Sequence, residues 1–196
     1  MIILAFILLL GGAYALYGRL SRDMPPNQLA VQENPVQTDT SSGASASGGE
    51  TEDAAPERLP APDFTVYDAE GNEVHLSDFA GTPVILNFWA SWCGPCTMEM
   101  PDFSDKHAEL GGDIQFLMVN VADGSRETVE TASDFIAETG YAFPVFYDTE
   151  NSAASAYGAH PIPLTFFIDA DGYVSAYAQG TINAETLQQG IDMIFP

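Results

Sequence analysis

Cys93 and Cys96 are the chain's only thiols, and Gly94 and Pro95 separate them. Two thiols three positions apart can close into a small disulfide ring and reopen, which is two-electron redox chemistry. Other uses of cysteine fit less well. A disulfide framework for a small secreted fold needs more cysteines, more widely spaced. A closed zinc site needs about four ligands, and His75, His107 and His160 are too scattered to supply a second half. No metal and no cofactor beyond the redox pair itself is expected.

The pair lies in Trp92-Cys93-Gly94-Pro95-Cys96, between the apolar run Val84–Trp89 and a helical pattern. In that pattern Cys96, Met100, Phe103, His107 and Leu110 share one face, and Pro101 is expected to kink the helix. A thiol where a strand gives way to a helix faces unpaired backbone N–H groups and the positive end of the helix dipole, both of which favour thiolate. Lowering a thiol pKa from about 8.5 to about 7 raises the reactive fraction at neutral pH from about 3% to about half. Cys93 is the expected nucleophile. Cys96, one turn deeper, is the expected resolving thiol. Gly94 and Pro95 set the tight entry, proline losing no bond in a first helical turn. Trp92 is expected on an apolar rim around Cys93, with Phe88, Trp89 and the three histidines structural.

The elements that hold this motif read as alternating strands and helices. Phe64–Tyr67 and Val74–Leu76 are short strands around the turn at 68–72. Ile114–Val121 is a buried strand, and Glu127–Glu138 an amphipathic helix with Val129, Ala132, Phe135 and Ile136 inward. Val145–Tyr147 is a strand and Ser152–Tyr157 a short helix. Leu164–Asp169 and Tyr173–Tyr177 form a hairpin across Asp171-Gly172, and Ala184–Ile194 is a closing helix. This order implies an α/β fold with a mixed central sheet.

Upstream, residues 1–20 carry an apolar run, Ile2–Leu10, with charge only at Arg19. Eighteen helical residues span roughly 27 Å, marginal for a bilayer core. Ala13-Tyr14-Ala15 fits a signal-peptide cleavage site, and an uncleaved membrane anchor is the alternative. Arg19 and Arg22 flank the run on the side opposite to that expected for an outward-facing C-terminus. Either way the expectation is an extracytoplasmic protein, secreted or membrane-anchored. Residues 21–60, rich in Pro, Ser, Gly and Ala, read as a disordered acidic linker, and 61–196 as the folded domain. The whole chain has 28 acidic and five basic residues among 196. That balance repels phosphate backbones and excludes nucleic-acid partners.

The chain resembles the thioredoxin superfamily, and more narrowly its TlpA/ResA-like branch, related to the AhpC/TSA redoxins. The likeness rests on Ala61-Pro62-Asp63-Phe64, Leu76–Gly81, Leu86–Cys96, Glu99-Met100-Pro101, Phe143-Pro144-Val145 and Ile162–Asp169. It implies a three-layer thioredoxin-like fold with an N-terminal β-hairpin extension. It also implies a cis Ile162-Pro163 bond facing the cysteines, with Pro161 as a nearby competitor. The backbone of Ile162 would then be free to pair with an extended substrate strand. Glu99 matches a buried acid of this branch, placed to take the proton that Cys96 must lose. Asn87 stands where cytosolic thioredoxins carry a titrating Asp, so that role does not transfer.

The expected activity is thiol–disulfide exchange, as a reductase of exported protein disulfides. The expected partners are protein dithiols and disulfides, with a membrane dithiol as electron donor if the enzyme reduces. Two alternatives stand beside it. A peroxiredoxin-like thiol peroxidase would need a Pro-x-x-x-Thr-x-x-Cys setting, absent before Cys93, and Arg126 is remote in sequence. A binding module would use the CxxC only as a staple.

Overall fold

The computed structural model describes residues 28–31 and 58–196. The expected leader or anchor at 1–20 lies outside the described residues, as does most of the expected linker. Eight strands are described: β1 (Ala30–Val31), β2 (Thr65–Tyr67), β3 (Glu73–His75), β4 (Val84–Trp89), β5 (Gln115–Asn120), β6 (Val145–Tyr147), β7 (Leu164–Ile168) and β8 (Val174–Gln179). Four α-helices join them: α1 (Gly94–Leu110), α2 (Val129–Thr139), α3 (Ser152–Tyr157) and α4 (Ala184–Ile194).

The strands form one sheet in the order β1-β8-β7-β4-β5-β6-β2-β3. β4 runs parallel to β5 and antiparallel to β7, and β5 runs parallel to β6, so the sheet is mixed. Every residue of β4 is buried, as a central strand covered on both faces requires. Its side chains alternate between two cores. Ile85 and Trp89 join Met100, Phe103, Ala132, Leu187 and Ile191 from α1, α2 and α4. Val84, Leu86 and Phe88 join Phe64, Val66, Ala153 and Ala154 from the β2 segment and α3. Sheet and two covering layers make the expected three-layer fold. Each large side chain buried in these cores contributes roughly 1.5–3 kcal/mol.

The β2–β3 hairpin extension pairs Thr65 with His75 and Tyr67 with Glu73. α1 continues past Pro101, which stays on the exposed side of the helix. Gly190 lets α4 lie directly on β7, since a Cβ there would come within 2.2 Å of the Phe167 ring. The helix expected over Glu127–Glu138 runs from Val129 to Thr139; Val129 is exposed rather than inward, and Glu127 is buried ahead of the N-cap Thr128. The amphipathic pattern begins one turn later than its apolar residues suggest.

The linker expected over 21–60 needs correction at two places. Ala30 and Val31 pair with Tyr177 and Ala176 of β8, and Leu29 packs on the α1-side core. At the other end, Pro60 bridges Tyr173, the Leu59 carbonyl accepts from Val174 N–H, and Arg58 pairs with Asp169 and Asp171. Average composition hides Leu29-Ala30-Val31, which is short but apolar and meets an open strand edge needing hydrogen-bond partners.

Candidate active site

β4 ends at Trp89 and α1 begins at Gly94, so the cysteine motif stands at the end of a central strand. Cys93 is the N-cap of α1, and its Sγ accepts the Cys96 N–H at 3.3 Å. One backbone donor at the start of α1 is thus aimed at this sulfur, in the place where a helix N-terminus favours thiolate over thiol. Cys93 and Cys96 are joined as a disulfide. Cys93 is 4% exposed and Cys96 fully buried, so Cys93 is the more accessible sulfur of the pair. Gly94 and Pro95 lie exposed at the helix start, and the Thr181 hydroxyl donates to the Pro95 carbonyl at 3.0 Å.

The loop before β7 faces this pair. Both His160-Pro161 and Ile162-Pro163 are cis, so Pro161 shares the conformation that was expected of Pro163 alone. The Ile162 carbonyl lies 3.9 Å from Cys93 Sγ. The Pro163 carbonyl accepts from Gly180 N–H at 2.9 Å, tying the loop to the end of β8.

Glu99 sits on the buried face of α1, one turn beyond Cys96, and has no solvent exposure. Asn87 Nδ2 donates to its Oε1 at 2.8 Å, and Ile182 N–H donates to its Oε2 at 3.0 Å. Burial pushes its pKa up to about 7 from an ordinary 4.5, while the two hydrogen bonds hold it down and Asp102 adds a smaller upward push. Such an acid exchanges protons near neutrality. Asn87 also donates to Thr165 Oγ1 at 3.0 Å, leaving its own buried Oδ1 unpartnered.

Trp92, next to Cys93 in the chain, is 43% exposed. Arg126, remote in sequence, lies with its guanidinium 3.6 Å from the centre of the Trp92 ring. A second buried carboxylate, Glu127, holds the preceding residue: Ser91 N–H and Ser91 Oγ donate to it at 2.8 and 2.7 Å.

The histidines stay apart. His75 contacts Thr65 in the hairpin, His107 stacks edge-on against Phe116, and His160 is exposed. Among the described residues no group of His, Cys, Asp and Glu could hold a metal ion.

Sequence reading missed Ser91, Asn120, Arg126, Glu127, Thr165, Thr181 and Ile182 as neighbours of the site. A polar residue inside a buried run, such as Asn120 in β5, is the one signal that could have pointed to them.

The AhpC/TSA family matches residues 58–177. The chain is 36% identical to the thiol-disulfide oxidoreductase ResA of Geobacillus thermodenitrificans, over 69% of this chain and 76% of that protein. Among solved structures, a DsbF homologue from Corynebacterium diphtheriae is 29% identical with a TM-score of 0.61, covering 69% of this chain and 87% of its own. A thioredoxin-family thiol:disulfide interchange protein from Chlorobium tepidum is 25% identical with a TM-score of 0.63, covering 73% and 100%.

Proposed function

The chain belongs to the AhpC/TSA family, as a thioredoxin-like thiol–disulfide oxidoreductase, and on that premise we propose that it reduces disulfides of exported proteins through Cys93 and Cys96. The observation that carries this reading is the geometry of the pair: Cys93, slightly exposed, with its sulfur accepting the Cys96 N–H at the start of α1, and Cys96 fully buried behind it.

In the reduced enzyme the Cys93 thiolate attacks one sulfur of the substrate disulfide. The substrate S–S bond breaks, its leaving thiolate takes a proton, and a mixed disulfide with Cys93 forms. Cys96 then loses its proton and attacks Cys93 Sγ. The mixed disulfide breaks, and the second substrate thiolate leaves and is protonated. Two electrons have passed to the substrate, and the enzyme holds the Cys93–Cys96 disulfide. Glu99 is the acceptor for the Cys96 proton, since it lies one helical turn away and its pKa of about 7 makes it a base at working pH. Ile162 offers backbone to an extended substrate segment, with Pro163 fixing the loop. Trp92, Gly94 and Pro95 form the surface that segment meets.

A membrane dithiol is the electron donor that regenerates the enzyme, because an exported reductase has no cytosolic reductant. The site of action is extracytoplasmic, supported by the apolar run at 1–20 and by the kinship with ResA and DsbF-type proteins. No described helix is long and apolar enough to cross a membrane.

Two variants test the roles. Cys93→Ser is expected to abolish turnover of a protein disulfide. Cys96→Ser is expected to attack normally and stall as a mixed disulfide visible on a non-reducing gel. Normal turnover by Cys96→Ser, or a trapped adduct on Cys93→Ser, would reverse the assignment.

A further inference from the structure

Glu127 is a fully buried carboxylate that the exchange chemistry does not use. It follows β5 in a turn built on Asp123, whose Oδ1 accepts from the N–H groups of Ser125, Arg126 and Glu127 at 2.8, 2.8 and 3.0 Å. The Gly124 N–H closes the turn on the Glu127 carbonyl at 2.9 Å. From this braced position the Glu127 side chain reaches the loop carrying the nucleophile. Its Oε1 accepts from Ser91 N–H at 2.8 Å and from Asn120 Nδ2 at 2.6 Å, and its Oε2 accepts from Ser91 Oγ at 2.7 Å. Ser91 is two residues before Cys93, inside the turn where Cys93 N–H donates to the Ala90 carbonyl at 3.1 Å.

The same turn acts from the outer side as well. Arg126 presents its guanidinium to the Trp92 ring. Among the described residues Arg58 pairs with Asp169 and Asp171, and Lys106 pairs with Glu109, whereas Arg126 makes no ion pair. Its charge is given to the aromatic face. Trp92 is therefore gripped between an anchored neighbour and a cation over its ring.

We propose that Glu127 is a positioning residue for attack by Cys93: its carboxylate, with Arg126 beside it, fixes the Ser91–Trp92 rim against which a protein disulfide is aligned. The inference rests on the exchange reading above and adds a specificity element to it. Alignment matters because a nucleophile displaced by about 1 Å can lose as much as 100-fold in rate.

The role predicts a pattern of substitutions. Glu127→Ala leaves Ser91 N–H and Asn120 Nδ2 without their acceptor. Glu127→Gln can keep both on its amide oxygen while its NH2 donates to Ser91 Oγ, so the geometry survives without the charge. Ser91→Ala removes one of the three bonds and keeps the backbone one. In the full chain, single-turnover attack on a protein disulfide is expected to slow roughly tenfold in Glu127→Ala, with Glu127→Gln restoring most of the rate and Ser91→Ala falling between. Acrylamide quenching of tryptophan fluorescence gives a second readout, since Trp92 is exposed and Trp89, the only other tryptophan, is fully buried. Quenching should rise in Glu127→Ala and return in Glu127→Gln, while the pH midpoint of the resolution step stays put.

A folded Glu127→Ala that attacks at the parent rate with unchanged quenching overturns the proposal. So does a Glu127→Gln as slow as Glu127→Ala, because charge and not geometry would then be acting. If Glu127→Ala fails to fold, Ser91→Ala decides, and a parent-like rate and quenching there count against the rim. A parent protein that attacks no protein disulfide defeats the exchange reading itself, an outcome distinct from either of these.

Discussion

Two buried glutamates flank the cysteine pair, and their surroundings give them different work. Glu99 lies behind Cys96 with one donor on each oxygen, Asn87 on one side and Ile182 N–H on the other. Glu127 lies beneath Ser91 and accepts three hydrogen bonds of 2.6–2.8 Å. Desolvation at Glu99 outweighs its two bonds and brings its pKa to about 7. Each further donor aimed at a carboxylate fixes its position. In the proposed reading Glu99 exchanges a proton and Glu127 serves as a bracket. The residue type alone carries neither role.

The contrast is sharpest in kinetics. Glu99→Gln is expected to slow resolution of the mixed disulfide by roughly 100-fold near neutral pH, the usual scale of a lost general base. The first attack should stay close to normal. The defect should shrink as pH rises past the pKa of Cys96, where the thiolate forms unaided. Rapid-mixing measurements of both steps across pH check this, and equal slowing of both would erase the distinction between the two glutamates.

A thermodynamic difference follows. Because the folded pKa of Glu99 lies above its ordinary value, its contribution to stability is complete below about 4.5 and is lost as pH rises through about 7. Relative to Glu99→Gln, the parent is expected to lose up to roughly 3 kcal/mol of unfolding free energy between pH 4.5 and 8. Denaturant titrations of the two proteins at several pH values supply the comparison. A constant difference between them would show that Glu99 does not change protonation over that range.

The smallest expected effect concerns the donor that Glu99 shares with Thr165. The bond from Asn87 holds the Glu99 pKa down, so Asn87→Ala should move the midpoint of the resolution profile upward. Asn87 is buried and its loss leaves a cavity, which makes the midpoint, and not the absolute rate, the measurement to follow. A midpoint unmoved or lowered would show that the Asn87 bond does not hold the acid down.

How far the sequence could be read depended on how local the causes were. The cysteine motif, the strand before it and the face of α1 carrying Cys96, Met100 and Phe103 follow from periodicity and chain neighbours. α4 was legible to its ends, because Asn183 caps it and its apolar residues recur on one side. Glu99 could be suspected because it shares a helix with Cys96. Glu127 could not, since its link to Ser91 crosses from the end of β5 to the end of β4, and only the parallel pairing of Trp89 with Asn120 brings those ends together. Arg126 was set aside as remote for the same reason. The strand at Ala30–Val31 was hidden differently, being two residues inside a stretch whose average composition favours no structure.

That strand also bears on how the molecule behaves in company. β8 lies next to the edge of the sheet, and an uncovered β-edge is a template on which other chains add strands and aggregate. Here Val174 is occupied by the Leu59 carbonyl, and Ala176 and Tyr177 by Val31 and Ala30. The side of β8 away from β7 is thereby closed over much of its length, by segments too short to recruit a further strand efficiently. The opposite edge, β3, is only three residues long and carries the exposed Glu73. With 23 net negative charges to keep copies apart, the fold resists polymerising through its own sheet, a useful property in a protein whose proposed substrates are other protein chains.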